Sequence, residues 1–470
     1  MKINFTTLDY TREDTFIEAE YEFEGSANSG WEIKRNGEHY LSLPEGYELL
    51  KTKLCGVCST DLDRRFLPFP LPQATGHEVV AESMDGKKKF VVEINDTFIA
   101  RGDKNSDEFC KSGIPTHSPE RKVLGIDRLP GGFSPYILAP KYGMLEFGSL
   151  SENTAALIEP FAAALQAIFS SPPKTGYRVA VLGPRRLGSL LVSALSAYRN
   201  SSGVKFEITA ISRHDNLLNL SKNLGADNTI NLNNTSVNAI RKSFDIVYDT
   251  TGAVSGLELA IQLSKNEIHL KSTNGQSFHG INKLTEMVVD ELALLLFNEE
   301  NLKFAWSNEK RENENIYCSP EMPNILKGNY KIFKIDPGKA SLILQGDEFN
   351  GKLPRFDIGI ATNINEINSI VRPSRDNESS LVRPRGAILY YGKSSEANPL
   401  LDFILSGGVF RTSRCGDFQK AISILEYNKE LADKLPELMI THSYSSKDLP
   451  KAFKTARDSS SIKVMIKHEQ

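Results

Sequence analysis

Residues 177–199 read YRVAVLGPRRLGSLLVSALSAYR. The first seven form a short apolar run closing on glycine, the pattern of a strand buried on both faces. LGSLLVSALSAYR then spaces its leucines for a helix. The same alternation continues downstream. FEITAIS (206–212) predicts a strand, DNLLNLSKNLGA (215–226) a helix, and FDIVYDTTG (244–252) another strand. GLELAIQLS (256–264) and EIHLKST (267–273) extend the series. Strand alternating with helix at this spacing means a parallel α/β sheet.

Further along, residues 300–350 turn polar and irregular, and then a second FDI arrives at 356–358. FDIGIATN, INEINSIVRP, LVRPRG and AILYYGK repeat the strand, helix, strand plan of FDIVYDTTG, GLELAIQLS and EIHLKST. Duplication and coincidence both account for this. A helix, DFQKAISILEYNKELADKL, and a closing strand-like SIKVMIKHE follow. On the other side, SENTAALIEPFAAALQAIFSS (151–171) predicts a helix with Pro160 early in it, where a missing N–H costs least. Residues 1–150 carry short β-like runs (YELLKTKLCGV, KFVVEI, FSPYILAP) between glycines and prolines, the texture of a compact all-β unit.

A chain of 470 residues is expected to form two or three domains. Its 40% apolar and 24% charged content is that of a soluble globular protein. A net charge of −3 gives no bulk attraction to nucleic acid or anionic membrane. No apolar run is long enough to span a bilayer, and MKINFTTLDYTRED lacks the apolar core of a signal peptide. Five scattered cysteines fit reduced thiols in a cytoplasm better than disulfides.

The stretch LCGVCSTDLDRRFLPFPLPQATGHEVV (54–80) raises a metal question. Zinc takes cysteine, histidine and carboxylate donors, and a catalytic zinc keeps one position open. Cys58 and His77 sit on two turns of the β-rich unit, and Glu159 begins the 151–171 helix. By spacing alone these residues fit a metal site or an ordinary core. GVCSTD, GHEVV, IEPFAAALQAI and VLGPRRLG, in this order, resemble the zinc-dependent medium-chain dehydrogenases, the alcohol and polyol dehydrogenase superfamily. FCKSG, KVLGIDRLPGGFSPYILAP, NLGADNTIN, LELAIQLS and HLKST resemble it too. The likeness covers about 1–296 and 411–470.

The resemblance implies a GroES-like β-rich catalytic domain (1–165 and 416–470) and a Rossmann-type parallel-sheet cofactor domain (166–299 and 394–415). Residues 300–393 are then a large insertion, expected to extend the cofactor sheet or pack on its edge. That edge often forms the dimer contact in the family, so the insertion would block the usual homo-oligomer or build another. Cys58, His77 and Glu159 are implied zinc ligands, with Glu78 able to exchange with water on the metal. Asp61 would orient His77, Thr60 would pass the substrate proton, and Asp63 takes the relay position. Cys55 reads as core. The cofactor is placed on Gly183, Arg185, Leu187, Gly188, Ser212, Arg213 and Thr251.

Two family features are altered. The four-cysteine lobe of a second, structural zinc is reduced to Lys104, Asp107, Cys110 and Ser118, so one zinc is expected; His117 reads as a surface residue. The dinucleotide fingerprint becomes Gly183-Pro-Arg-Arg-Leu-Gly188, with Arg185 at the middle glycine. The acidic residue that selects NAD after the second strand is replaced by Ser212 and Arg213, so NADP(H) is expected over NAD(H). The implied activity is interconversion of a small alcohol or polyol and its carbonyl by hydride transfer. The alternative is a catalytically silent nucleotide-binding or regulatory protein that keeps the fold.

Overall fold

The computed structural model describes every residue except 105, 305–312, 327–328, 346–348, 350–352, 374–378, 394–397 and 469–470. The chain divides into two compact units, Met1–Ala162 with Gly416–Gln470, and Ala163–Cys415. The described residues of 300–393 share the second unit with the parallel sheet. No helix among the described residues is long and apolar enough to cross a membrane.

The first unit is the GroES-like β domain. It opens with a four-stranded antiparallel meander, Lys2–Tyr10, Phe16–Ser26, Gly30–Arg35 and Glu38–Leu43. Its second strand shows why: Ala19, Tyr21 and Phe23 are buried while Glu18, Glu20 and Glu24 face water, the period-two pattern of a half-buried strand. A second sheet is built around Tyr47–Val57, which pairs antiparallel with Glu78–Ser83, Tyr136–Pro140 and Lys463–Lys467. Register decides what this sheet presents. Gly56 lies opposite both Glu78 and Met465, and Val57 opposite Val464. One end of three strands therefore brings Cys58, His77, Glu78 and Lys463 together.

The second unit holds one sheet of eleven strands among the described residues. Its first part is a Rossmann-type half: Asn228–Asn231, Glu207–Ser212, Arg178–Leu182, Phe244–Asp249, Ser264–Leu270 and Val409–Thr412, all parallel. The rest runs Ala293–Leu296, Val382–Tyr390, Phe356–Ala361, Asn315–Cys318 and Lys331–Lys334, again parallel among themselves. The halves meet head to tail through an antiparallel pairing of Leu294 with Phe410. Two strands are exchanged at this seam. Ala293–Leu296 follows Ser264–Leu270 in the chain but pairs with Val382–Tyr390. Val409–Thr412 follows Val382–Tyr390 but pairs with Ser264–Leu270. One apolar core runs through both halves, from Ala180, Phe244 and Val247 to Tyr317, Phe356 and Ile388.

Candidate active site

In the first unit the candidate metal residues are organised by one carboxylate. Cys58 caps the short helix Ser59–Leu62, and its backbone N–H donates to Asp61 Oδ2 at 2.9 Å. The other oxygen of Asp61 accepts from Gly76 N at 3.2 Å and faces His77 Nδ1 at 3.4 Å. Asp61 is fully buried, so it clamps the Cys58 turn to the His77 turn away from water. Burial alone would lower the His77 pKa; the Asp61 carboxylate and the Cys58 sulfur outweigh it and hold the imidazole well above its usual value. Thr60 Oγ1 lies 3.7 Å from Cys58 Sγ. Asp63, by contrast, is exposed at the C-cap of the same helix. Cys55 is fully buried, as core.

Glu78 turns the other way. Lys463 Nζ donates to its two oxygens at 2.6 and 2.7 Å, and to Val57 O at 3.4 Å. The glycine at 56 makes the room, because a Cβ there would sit 1.8 Å from Glu78 Oε2. Lys463 is buried, which pulls its pKa down, but Glu78, then Cys58 and Glu159, hold it above the ordinary lysine value. Glu159, half-buried in the first turn of helix Ile158–Ser170, is thus within electrostatic reach of the same ammonium. It also acts on Glu93, whose carboxyl is pushed up to about 7 by burial, then by Glu159 and Asp417. Lys463 and Glu93 had no place in the sequence reading; the one available signal was a lysine inside the apolar strand SIKVMIK.

These residues suit zinc in kind: the Cys58 thiol and the His77 imidazole converge, with Asp61 facing the Nδ1 side of the ring. Yet among the described residues no three His, Cys, Asp or Glu side chains are gathered as a set that could hold a metal ion. Cys58 and His77 meet; a third donor is not brought to them. In the reduced lobe, Asp107 Oδ1 caps a helical turn by accepting from Cys110 N at 2.8 Å. The buried Cys110 thiol is pushed up to about 11 by burial and Asp107. Lys104 is exposed, Ser118 is buried, and His117, expected at the surface, is buried as well because the turn at 115–117 folds it inward.

In the second unit, strand Arg178–Leu182 feeds the turn into helix Arg186–Ser202. Gly183 has φ +79°, and a Cβ on it would lie 2.8 Å from Thr251 Cγ2. A Cβ on Gly188 would lie 2.5 Å from Gly183 O and from Thr250 Oγ1. The outer glycines thus serve close packing of turn, strand and helix. Arg185 and Leu187, between them, are half-buried, and Arg185 is the helix N-cap residue. Ser212 is buried at the end of its strand, where Oγ accepts from His214 N at 3.2 Å, while Arg213 is exposed. Thr251 donates through N and Oγ1 to Asp249 Oδ1 at 2.9 and 2.7 Å. Asp249 is fully buried, and burial pushes its carboxyl up to about 6.

No family model matches the chain. It is 26% identical over 222 residues to D-arabinitol dehydrogenase 1 of Uromyces fabae, a match covering 44% of this chain and 62% of that protein. It is 30% identical over 173 residues to (R,R)-butanediol dehydrogenase of Bacillus subtilis, covering 32% of this chain and 47% of that one. The chain thus spans less than two thirds of the length of either relative. The crystal structure of L-idonate 5-dehydrogenase from Escherichia coli aligns with a TM-score of 0.57 at 15% identity, covering 99% of both chains. In sequence the chain is similar to alcohol and polyol dehydrogenases, and it shares the fold of L-idonate 5-dehydrogenase.

Proposed function

We propose that the chain is an NAD(P)-linked oxidoreductase that interconverts a small alcohol or polyol and its carbonyl, with one zinc that Cys58 and His77 would hold and that Glu159 would complete on metal binding. The observation that carries this reading is the Asp61 clamp, which holds Cys58 and a buried His77 against each other at the end of the central strand. Bound zinc supplies Lewis-acid polarisation of the alcohol oxygen, and a nicotinamide supplies the hydride acceptor. Asp61 keeps His77 Nδ1 turned inward, leaving Nε2 as the donor. Thr60 Oγ1 takes the substrate proton, and exposed Asp63 passes it to water. Gly183 and Gly188 let the turn approach the pyrophosphate, and the Arg185 guanidinium pairs with it. Arg213, exposed beside Ser212, meets the 2′-phosphate of NADP(H). Metal analysis of protein purified without added zinc should find about one equivalent, and a panel of carbonyls should be reduced with NADPH. Cys58→Ala should abolish turnover and zinc together while the chain stays folded. Active protein free of metal refutes the zinc reading, and zinc-loaded protein that turns over no alcohol or carbonyl refutes the enzymatic one.

A further inference from the structure

The sequence holds three asparagine–glycine pairs, Asn36-Gly37, Asn274-Gly275 and Asn350-Gly351, the last outside the described residues. In such a pair the glycine amide can attack the asparagine side chain, because no side chain on the glycine crowds the approach. The surroundings decide whether it does. Asn36 is pinned in a hairpin turn: its N–H donates to Glu20 O at 2.8 Å, and its Oδ1 accepts from Glu20 N at 2.9 Å. Asn274 sits instead in an irregular, exposed loop after strand Ser264–Leu270. Its Oδ1 accepts from Gln276 N at 3.1 Å, an Asx turn that polarises the side-chain carbonyl. The attacking nitrogen, Gly275 N, donates to Thr273 Oγ1 at a long 3.3 Å. A Cβ on Gly275 would meet nothing within 4 Å, so the loop has room to rearrange.

We propose that Asn274 is a site of spontaneous modification, converting to aspartate and isoaspartate and thereby weakening cofactor binding. Gly275 N gives up its proton to water and forms a bond to Asn274 Cγ; the bond from Cγ to the side-chain nitrogen breaks, and ammonia leaves with a proton. Water then opens the succinimide at one of its two carbonyls. One opening gives aspartate, and the other gives isoaspartate, with the backbone rerouted through the side chain. Nothing is oxidised or reduced. Location gives the change its effect. Thr273 bridges to Gly252, the residue after Thr251, so Asn274 lies at the carboxyl end of the parallel sheet. Ligands of such sheets bind at that end, and Asn274 shares a small hollow with Gly252, Ala253 and Ser272. A new carboxylate there repels a cofactor that carries phosphates. This consequence rests on the cofactor reading above.

The test is peptide mapping of the full chain by mass spectrometry during incubation in mildly alkaline buffer, with enzymatic methyl-labelling of isoaspartate. The Asn274 peptide should gain the mass of an amide-to-acid exchange and take up label, ahead of the Asn36 peptide. Asn274→Gln, whose longer side chain closes a less favourable ring, should show neither change there. Fluorescence titration of reduced cofactor is the second readout. Asn274→Asp should bind it about two- to fivefold more weakly than wild type, the scale of one solvated charge interaction, and added salt should narrow the gap. Asn274 that stays intact, or converts no faster than Asn36, overturns the proposal. So does an Asn274→Asp protein that binds reduced cofactor as tightly as wild type. Wild type that binds neither NADH nor NADPH defeats the cofactor reading, and the mass readout alone then decides the modification.

Discussion

At the residue scale, Asp61 shows how much one buried carboxylate can organise. It accepts from the amides of Cys58 and Gly76 and faces the His77 ring, so two turns depend on it. Asp61→Ala leaves both amides and the His77 ring without their partner. A loss of about 3 kcal/mol is expected from breaking such a buried set, read as a shift in the urea midpoint. A change within about 0.5 kcal/mol, the size of an ordinary surface substitution, would show that the turns hold without it. Asp249 behaves in the opposite sense. Burial raises its carboxyl from 3.8 to about 6, so its contribution is fully present below pH 4 and is lost as pH rises through 6. That move is worth at most about 3 kcal/mol. Asp249→Asn, whose amide oxygen can still accept from Thr251, should be more stable than wild type at pH 8 and no more stable at pH 4. Parallel stability curves for the two proteins would contradict this. Cys58, Asp61 and His77 were legible in the sequence because twenty residues of local chain contain them. Lys463 was not, because it reaches Glu78 across 385 residues and only strand register brings it there.

At the element scale, the strand, turn and helix of 178–202 were legible for a physical reason: an apolar run closing on glycine, then helical spacing of leucines. The glycines are the vulnerable points. A Cβ at Gly188 meets Gly183 O and Thr250 Oγ1 at 2.5 Å, and backbone cannot step aside cheaply. Gly188→Ala should cost about 1–3 kcal/mol and weaken reduced-cofactor binding, measured by fluorescence titration. Unchanged cofactor affinity would mean the turn can shift without loss. The β-like runs YELLKTKLCGV and FSPYILAP were equally plain, whereas the order in which strands pair was not. Ala293–Leu296 and Val409–Thr412 are short, and nothing local says that each pairs with a strand of the other half.

At the scale of the second unit, the shared core makes a prediction about cooperativity. Phe410 is fully buried at the seam, opposite Leu294, in a cluster that reaches from Phe244 to Phe356. The amides of Arg178–Leu182 and Phe356–Ala361 should therefore exchange hydrogen at the same global free energy. Phe410→Ala should lower both together, by about 3–5 kcal/mol. Exchange of 356–361 at a much lower free energy than 178–182 would mean that the halves open separately.

The strand exchange also has a consequence for synthesis. A chain emerging from the ribosome completes Ser264–Leu270 long before the strand that covers its flank, Val409–Thr412. At usual elongation speeds that interval is roughly 10–30 s. Throughout it a buried parallel strand has a bare edge, and Ala293–Leu296, the next strand made, belongs to a neighbour not yet translated. The nascent protein is thus most exposed to mispairing midway through its own production, and a chaperone that shelters strand edges would raise its yield more than one that acts after release.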